Sequence, residues 1–415
     1  MRSRTQETTT LAVGSVVSGL LAYLFFALTT RSLGPAAAAP VGVLWTYWTF
    51  AAAALTFPLQ HWIAQTSAAH GDRSAVARAM PRVLLIVGAV ALASTAVALV
   101  FRGTLFHSQN MWYPVLVGLV TVGAGFIGVV RGGLTAQHRF TSLTATLVGE
   151  NLFRCVGAVA LIAAGASSAV DYGLVLVAGS FVGLAWPSAY RIGNRGSPAT
   201  GSASLRFLGG AAGGQLTAQV VLTSGPVVLA FIGGTPAQVT SLFAALGLFR
   251  APYLIGLAVV AKLTGYLTAL HLRRDGRSLR RVRRLVLTLT VLGVPIAGVL
   301  GSLLGPVLLP LIFGEGVTLD APLCGMAAIA STVALANLVT TLMIMAQGRS
   351  GAVVRTWVAA AALGLAFALV APVEPLPRTV GAFLLAESAA FLLLVLAERR
   401  DSPGPPAPAA GVPAP

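Results

Sequence analysis

Glu150, Asn151 and Arg154 stand inside an apolar run from 141 to 165, and Arg250 and Lys262 stand inside another from 241 to 270. Charges in a membrane span cost roughly 2.5 to 3.5 kcal/mol on insertion scales, so each ionisable residue there is a functional candidate by default. Glu150 and Arg154 are i and i+4 with the acid first, the favourable order for pairing along one helix, and Glu150 falls about 13 Å from the end of its span, near the midplane. Pairing alone accounts for both, and a functional site is the other reading. Arg250 has no acid one turn away, so its charge has to meet another helix, water or an anionic ligand such as a phosphate. Gln215 and Gln219 are one turn apart, as are Asn337 and Thr341. These groups can bind sugar hydroxyls or hydrogen-bond across helices. Glu387, in the last apolar run, is a candidate for proton or cation coupling. Lys262 reads as a snorkelling anchor and Arg31 as a helix cap.

The elements that position these groups follow from composition. Of 415 residues, 56% are hydrophobic and 9% charged, against about 25% charged in soluble domains. A span needs about 20 apolar residues. Runs of that order, cut at charges, Gly and Pro, give twelve transmembrane helices: 10–30, 41–66, 82–101, 112–130, 141–165, 168–190, 207–232, 241–270, 285–313, 321–346, 353–372 and 380–397. The first run is too long for a signal-peptide core and reads as a retained span. The expected class is an all-α integral membrane protein.

The net charge of +16 does not indicate nucleic acid, because the basic residues lie between apolar runs. With the N-terminus inside, the inner segments hold 21 arginines and the outer loops only Arg31, Arg102 and Arg378, which by the positive-inside rule places both termini in the cytoplasm. Seven of the inner arginines fall between Arg273 and Arg284. That stretch is expected to attract anionic headgroups of membrane lipids, set topology, or recruit an anionic substrate from the inner leaflet. Cys155 and Cys324 fall in different spans and read as small core residues, and neither a cofactor nor a metal site is indicated. The Pro-rich tail from Ser402 is expected to be disordered.

Ala136-Gln137-His138-Arg139 recurs 210 residues later as Ala346-Gln347-Gly348-Arg349, six spans apart. An even number of spans per repeat relates the halves by a pseudo-two-fold along the membrane normal. The expected organisation is a six-helix bundle over 1–206, a second over 207–400 and a tail over 401–415. Pro58, Pro187, Pro226 and Pro295 fall inside the spans, and Gly209, Gly210, Gly213 and Gly214 open the seventh. They read as static packing, or as hinges and sliding faces.

Five short segments carry a resemblance over residues 10 to 397. They are Thr30-Arg31-Ser32-Leu33-Gly34-Pro35, Arg131-Gly132-Gly133-Leu134 with Gln137 and Arg139, Phe249-Arg250-Ala251-Pro252, Leu311-Ile312-Phe313-Gly314, and Ala346-Gln347-Gly348-Arg349. Together they resemble the multidrug/oligosaccharidyl-lipid/polysaccharide exporter superfamily, within it the polysaccharide-biosynthesis or O-antigen-type flippases. The resemblance implies a MATE-like, V-shaped pair of bundles in a bacterial plasma membrane, exposing a central cavity to each side in turn, with lipid-linked sugar as cargo. Lipid II flippases of this superfamily carry an Arg-Asp pair in the first helix, where this chain has Phe25-Phe26. It also lacks the acidic array of a cation-coupled drug exporter. A drug or small-solute antiporter is the second reading, and a membrane glycosyltransferase or polymerase, which would want outer acids or large outer domains, the third.

Overall fold

In a computed structural model of the chain, the described residues are 2–70, 73–190, 211–253 and 276–399, with 256, 263, 266, 267, 269, 270 and 273 between; the side chains of 2–9, 70, 211–215, 276 and 399 are excepted. Lys262, Gly209, Gly210, the expected bundle boundary at 206 and the tail from 401 lie outside them, as does the Gln215 side chain.

The first half runs α1 (Arg2–Leu33), α2 (Pro35–Ala51), α3 (Phe57–His70), α4 (Ser74–Val100), α5 (Arg102–Leu105), α6 (Trp112–Ala136), α7 (Phe140–Ala163), α8 (Ala169–Ser180) and α9 (Pro187–Tyr190). The second runs α10 (Ala211–Thr223), α11 (Gly225–Phe231), α12 (Pro236–Phe249), α13 (Gly276–Phe313), α14 (Ala321–Ala346), α15 (Ser350–Val370) and α16 (Pro375–Arg399). Among the described residues nine helices are long and apolar enough to cross a membrane, counting α2 and α3 as one. The interrupted segments 169–190, 211–231 and 236–253 supply the rest of the twelve-span plan.

Helices run further than hydropathy indicates. α13 begins at Gly276, so Arg277 to Arg284 wind into its first turns instead of forming a connector. Arg131 is likewise inside α6, a correction to its place among the loop arginines. Of the four prolines, Pro187 and Pro226 open α9 and α11, where a missing N–H costs nothing. Pro58 follows a π-helical turn over Ala52–Thr56, and Pro295 lies within α13. The π turn brings Thr56 against α6, its hydroxyl donating to the Ala124 carbonyl at 2.7 Å.

The repeat is visible in the joints. His138 and Gly348 both take positive φ (55° and 76°). In both turns the next N–H reaches five residues back, Arg139 to Leu134 at 2.9 Å and Arg349 to Ile344 at 3.3 Å. This is a Schellman-type helix stop, and only glycine adopts it without strain. His107 and Gly314, each following a phenylalanine, form a second matching pair with φ 50° and 104°.

Hydrogen bonds between the halves gather, among the described residues, at the end where α1 and α13 finish. Arg31 Nε donates to Ile312 O at 2.9 Å and its Nη2 to the Leu311 carbonyl, so Arg31 caps a helix as expected, though that of the other half. Thr240 Oγ1 donates to Pro35 O at 2.6 Å, and His107 Nε2 lies 2.9 Å from Gly234 O. This far end is opposite the basic end, which carries Arg139, Arg349 and the start of α13. The topology is tested by single cysteines at Gly351, exposed beside Arg349, and Glu315, exposed beyond α13. Both native cysteines are buried and silent to an impermeant reagent. Gly351→Cys is expected to label only from the cytoplasm and Glu315→Cys only from outside; the reverse pattern would invert the map.

Candidate functional site

A cavity of about 290 Å³ lies between the halves, walled by α1, α2 and α7 on one side and α10, α11 and α12 on the other. Along α1 its lining runs from Ser15 to Phe26, about 16 Å at 1.5 Å per residue. The Phe26 ring meets Phe243 at 4.4 Å and Phe313 at 6.0 Å, which stops the cavity toward the far end. Phe25 and Phe26 are both buried, and Phe26 is the plug.

Arg250 follows the last residue of α12 and reaches this cavity. Its guanidinium carbon lies 5.5 Å from the Phe383 ring centroid, while its Nε and Nη2 are buried without a hydrogen-bond partner. Among the described residues no Asp or Glu lines the cavity. Buried cations normally bond to carboxylates or carbonyls, and these two nitrogens have no such acceptor among the described residues. Around it stand Tyr23, Trp45, Trp48, Gln219 and Tyr253, with Gln219 Nε2 donating to the Tyr253 hydroxyl at 3.3 Å. The Trp48 indole nitrogen is buried and also without a partner.

Of the residues the sequence singles out, Arg250, Gln219 and Asn151 line the cavity. Glu150 and Arg154 do not; they form a network in the first half, directly behind its aromatic wall. Arg154 Nη2 donates to Glu150 Oε1 at 2.6 Å, Nη1 to Asn151 Oδ1 at 2.9 Å and Nε to Leu176 O at 3.1 Å. Asn151 Nδ2 donates to Ser18 Oγ at 2.8 Å. The second Glu150 oxygen accepts from Arg131 Nη2 at 2.6 Å. Arg131 was hidden because an arginine ends a hydropathy run, although the helix continues through it. The signal available was that one carboxylate near midplane has two oxygens and only one partner on its own helix. Two cations around one anion leave the cluster at +1. Its Arg154 carbon lies 5.4 and 4.8 Å from the Trp45 and Trp48 ring centroids, so the excess charge sits against the cavity wall. Gly179 makes the room: a Cβ there would lie 2.6 Å from Arg154 Nε.

Asn337 and Glu387 form a buried pair in the second half; Glu387 lines a small adjoining pocket with Leu222 and Tyr253, which also line the cavity, and its charge is felt by Arg250. Asn337 Nδ2 donates to Glu387 Oε2 at 2.8 Å and to its carbonyl at 2.9 Å, across α14 and α16. Both are fully buried, and Glu387 Oε1 and Asn337 Oδ1 have no donor. Asn337 therefore bonds between helices and its partner Thr341 accepts from Trp357 Nε1 at 3.4 Å, so neither lines the cavity.

Compared with solved structures, the chain is similar over nearly its whole length to several membrane transporters. An inward-facing multidrug resistance MATE transporter of the MOP superfamily covers 92% of this chain and 94% of its own, with a TM-score of 0.69 at 15% identity. The outward-facing conformation of a MATE transporter gives 0.59 at 16% identity, over 95% of both chains. The lipid II flippase MurJ, in an inward closed conformation, gives 0.65 at 13% identity over 94% of this chain and 87% of its own. The fold is thus the MATE-like fold of these transporters, as the sequence resemblance implies. No protein-family model and no curated protein sequence matches the chain.

Proposed function

We propose that this chain is a flippase that carries an isoprenoid-diphosphate-linked oligosaccharide from the inner to the outer leaflet by alternating access between its two six-helix halves, 1–206 and 207–400. The observation that carries the reading is Arg250, with two unpartnered nitrogens in a cavity whose described lining holds no carboxylate. A site for a cationic drug would present acids, whereas this one presents a guanidinium on one side and the +1 cluster behind Trp45 and Trp48 on the other. A diphosphate entering between them exchanges water for fixed cations in a low-dielectric space, where such interactions are strong. Aromatic faces and the Gln219 and Asn151 amides offer surfaces for sugar rings and hydroxyls. At about 290 Å³ the cavity seats part of such a cargo, and the remainder extends toward the basic end.

Closure at the far end and reach toward the basic end correspond, with both termini cytoplasmic, to the state that receives substrate from inside. A cargo charge of about −2 leaving an inside-negative cell gains roughly 4.6 kcal/mol per 100 mV, which helps drive export.

The second reading, a cation-coupled drug or small-solute antiporter, is favoured by one observation. Glu387 Oε1 and Asn337 Oδ1 are two buried acceptors with no donor, and a proton or small cation would satisfy them. Reconstitution separates the readings. The chain in proteoliposomes is expected to move lipid-linked oligosaccharide, and Glu387→Gln, which keeps the Asn337 contact but cannot ionise, to lower the rate at most severalfold. Drug efflux with stoichiometric proton or sodium flux, abolished by Glu387→Gln, would replace the flippase reading.

A further inference from the structure

We infer that the first turns of α13 hold the headgroups of anionic phospholipids on the outer flank of the protein. α13 is 38 residues, about 57 Å, nearly twice the thickness of a bilayer core of about 30 Å. Its excess length lies at the N-terminal end. Leu285, Leu289, Leu292, Ile296, Val299 and Leu303 form one exposed apolar stripe, the face a lipid tail would cover. Arg277 and Arg281 continue that row backward at i, i+4 spacing, and Arg280 and Arg284 flank it, all four exposed. The arginines therefore follow the lipid-facing side of the helix, not the central cavity, and begin where the apolar stripe stops. That is the level of phosphates in a bilayer whose tails cover the stripe.

Charge complementarity selects the occupant. Among the side chains described at this end the acid is Glu398, and Arg283 takes it at 2.9 Å, which also ties the base of α13 to α16. The four outward arginines remain for phosphodiester oxygens, which a planar guanidinium holds bidentately. A phospholipid supplies acyl chains for the leucine stripe and a phosphate for the arginines in one molecule. This inference is independent of the cargo.

The test uses the whole protein in nanodiscs of phosphatidylcholine with increasing phosphatidylglycerol, read by native mass spectrometry of retained lipid and by Tm. Wild type is expected to retain phosphatidylglycerol over phosphatidylcholine and to gain Tm with it. Arg277→Gln with Arg281→Gln should weaken retention about 25-fold, since about 1 kcal/mol per surface charge is about fivefold for each. Arg82→Gln with Arg355→Gln removes the same charge from α4 and α15 and should change retention little. Arg277→Lys with Arg281→Lys should keep most of it, and remains informative if the glutamine variant does not fold. Equal loss in the two glutamine variants, loss in the lysine variant, or no lipid preference in wild type would each overturn the site.

Discussion

Arg250→Ala is expected to reduce flipping of lipid-linked oligosaccharide by about 100-fold or more while shifting Tm by no more than a few degrees. The magnitude follows from two charge-assisted hydrogen bonds to the cargo at about 1.5 to 3 kcal/mol each. The small stability effect follows from the geometry: Nε and Nη2 have no protein partner to lose, and the Phe383 contact, worth about 0.5 to 2 kcal/mol, is offset by relief of a desolvated cation. Arg250→Lys should retain a fraction of the rate, because an ammonium replaces the charge but not the planar fork. A structural role for Arg250 instead requires activity and Tm to fall together. An alanine variant that flips at the wild-type rate ends the proposal.

Glu150→Gln should destabilise the protein by about 3 to 5 kcal/mol, measured as unfolding in detergent or bicelles. It strips the only anion from two buried arginines whose side chains are 6% and 0% exposed. Arg131→Met should be the mildest lesion in the cluster, because Glu150 and Arg154 remain as a neutral pair. Exchanging Glu150 and Arg154, a test that would preserve an isolated pair, should not restore stability, because it turns a guanidinium toward Arg131. Wild-type Tm in the exchange variant, or equal damage from Arg131→Met, would refute the three-membered cluster.

The outline of the fold was legible because bilayer thickness constrains apolar runs directly. The tenth run, 321–346, coincides with α14, and the Ala-Gln-x-Arg duplication marks joints with the same hydrogen bonds. Hydropathy failed where charge and helix coexist. Arg131 and the arginines of α13 looked like connectors because a window average falls at a cation, although helix propensity does not. Partners on other helices were also beyond reach, since no local spacing joins Asn337 to Glu387 or Glu150 to Arg131. The aromatic wall had a faint local signal in Trp45-Thr46-Tyr47-Trp48-Thr49, whose Trp and Thr pairs recur at i, i+3 and face the cavity together.

The bonds at the far end carry one more consequence, for occupancy. The Arg31 cap, the Thr240 hydroxyl and His107 all end on main-chain carbonyls of the opposite half, and those carbonyls move only with their helices. At about 1 kcal/mol for each, the four bonds together hold that end closed by a few kcal/mol. In the transport cycle proposed above, cargo or membrane potential has to supply that difference, and shortening Arg31 would raise the standing fraction of open molecules before any substrate arrives.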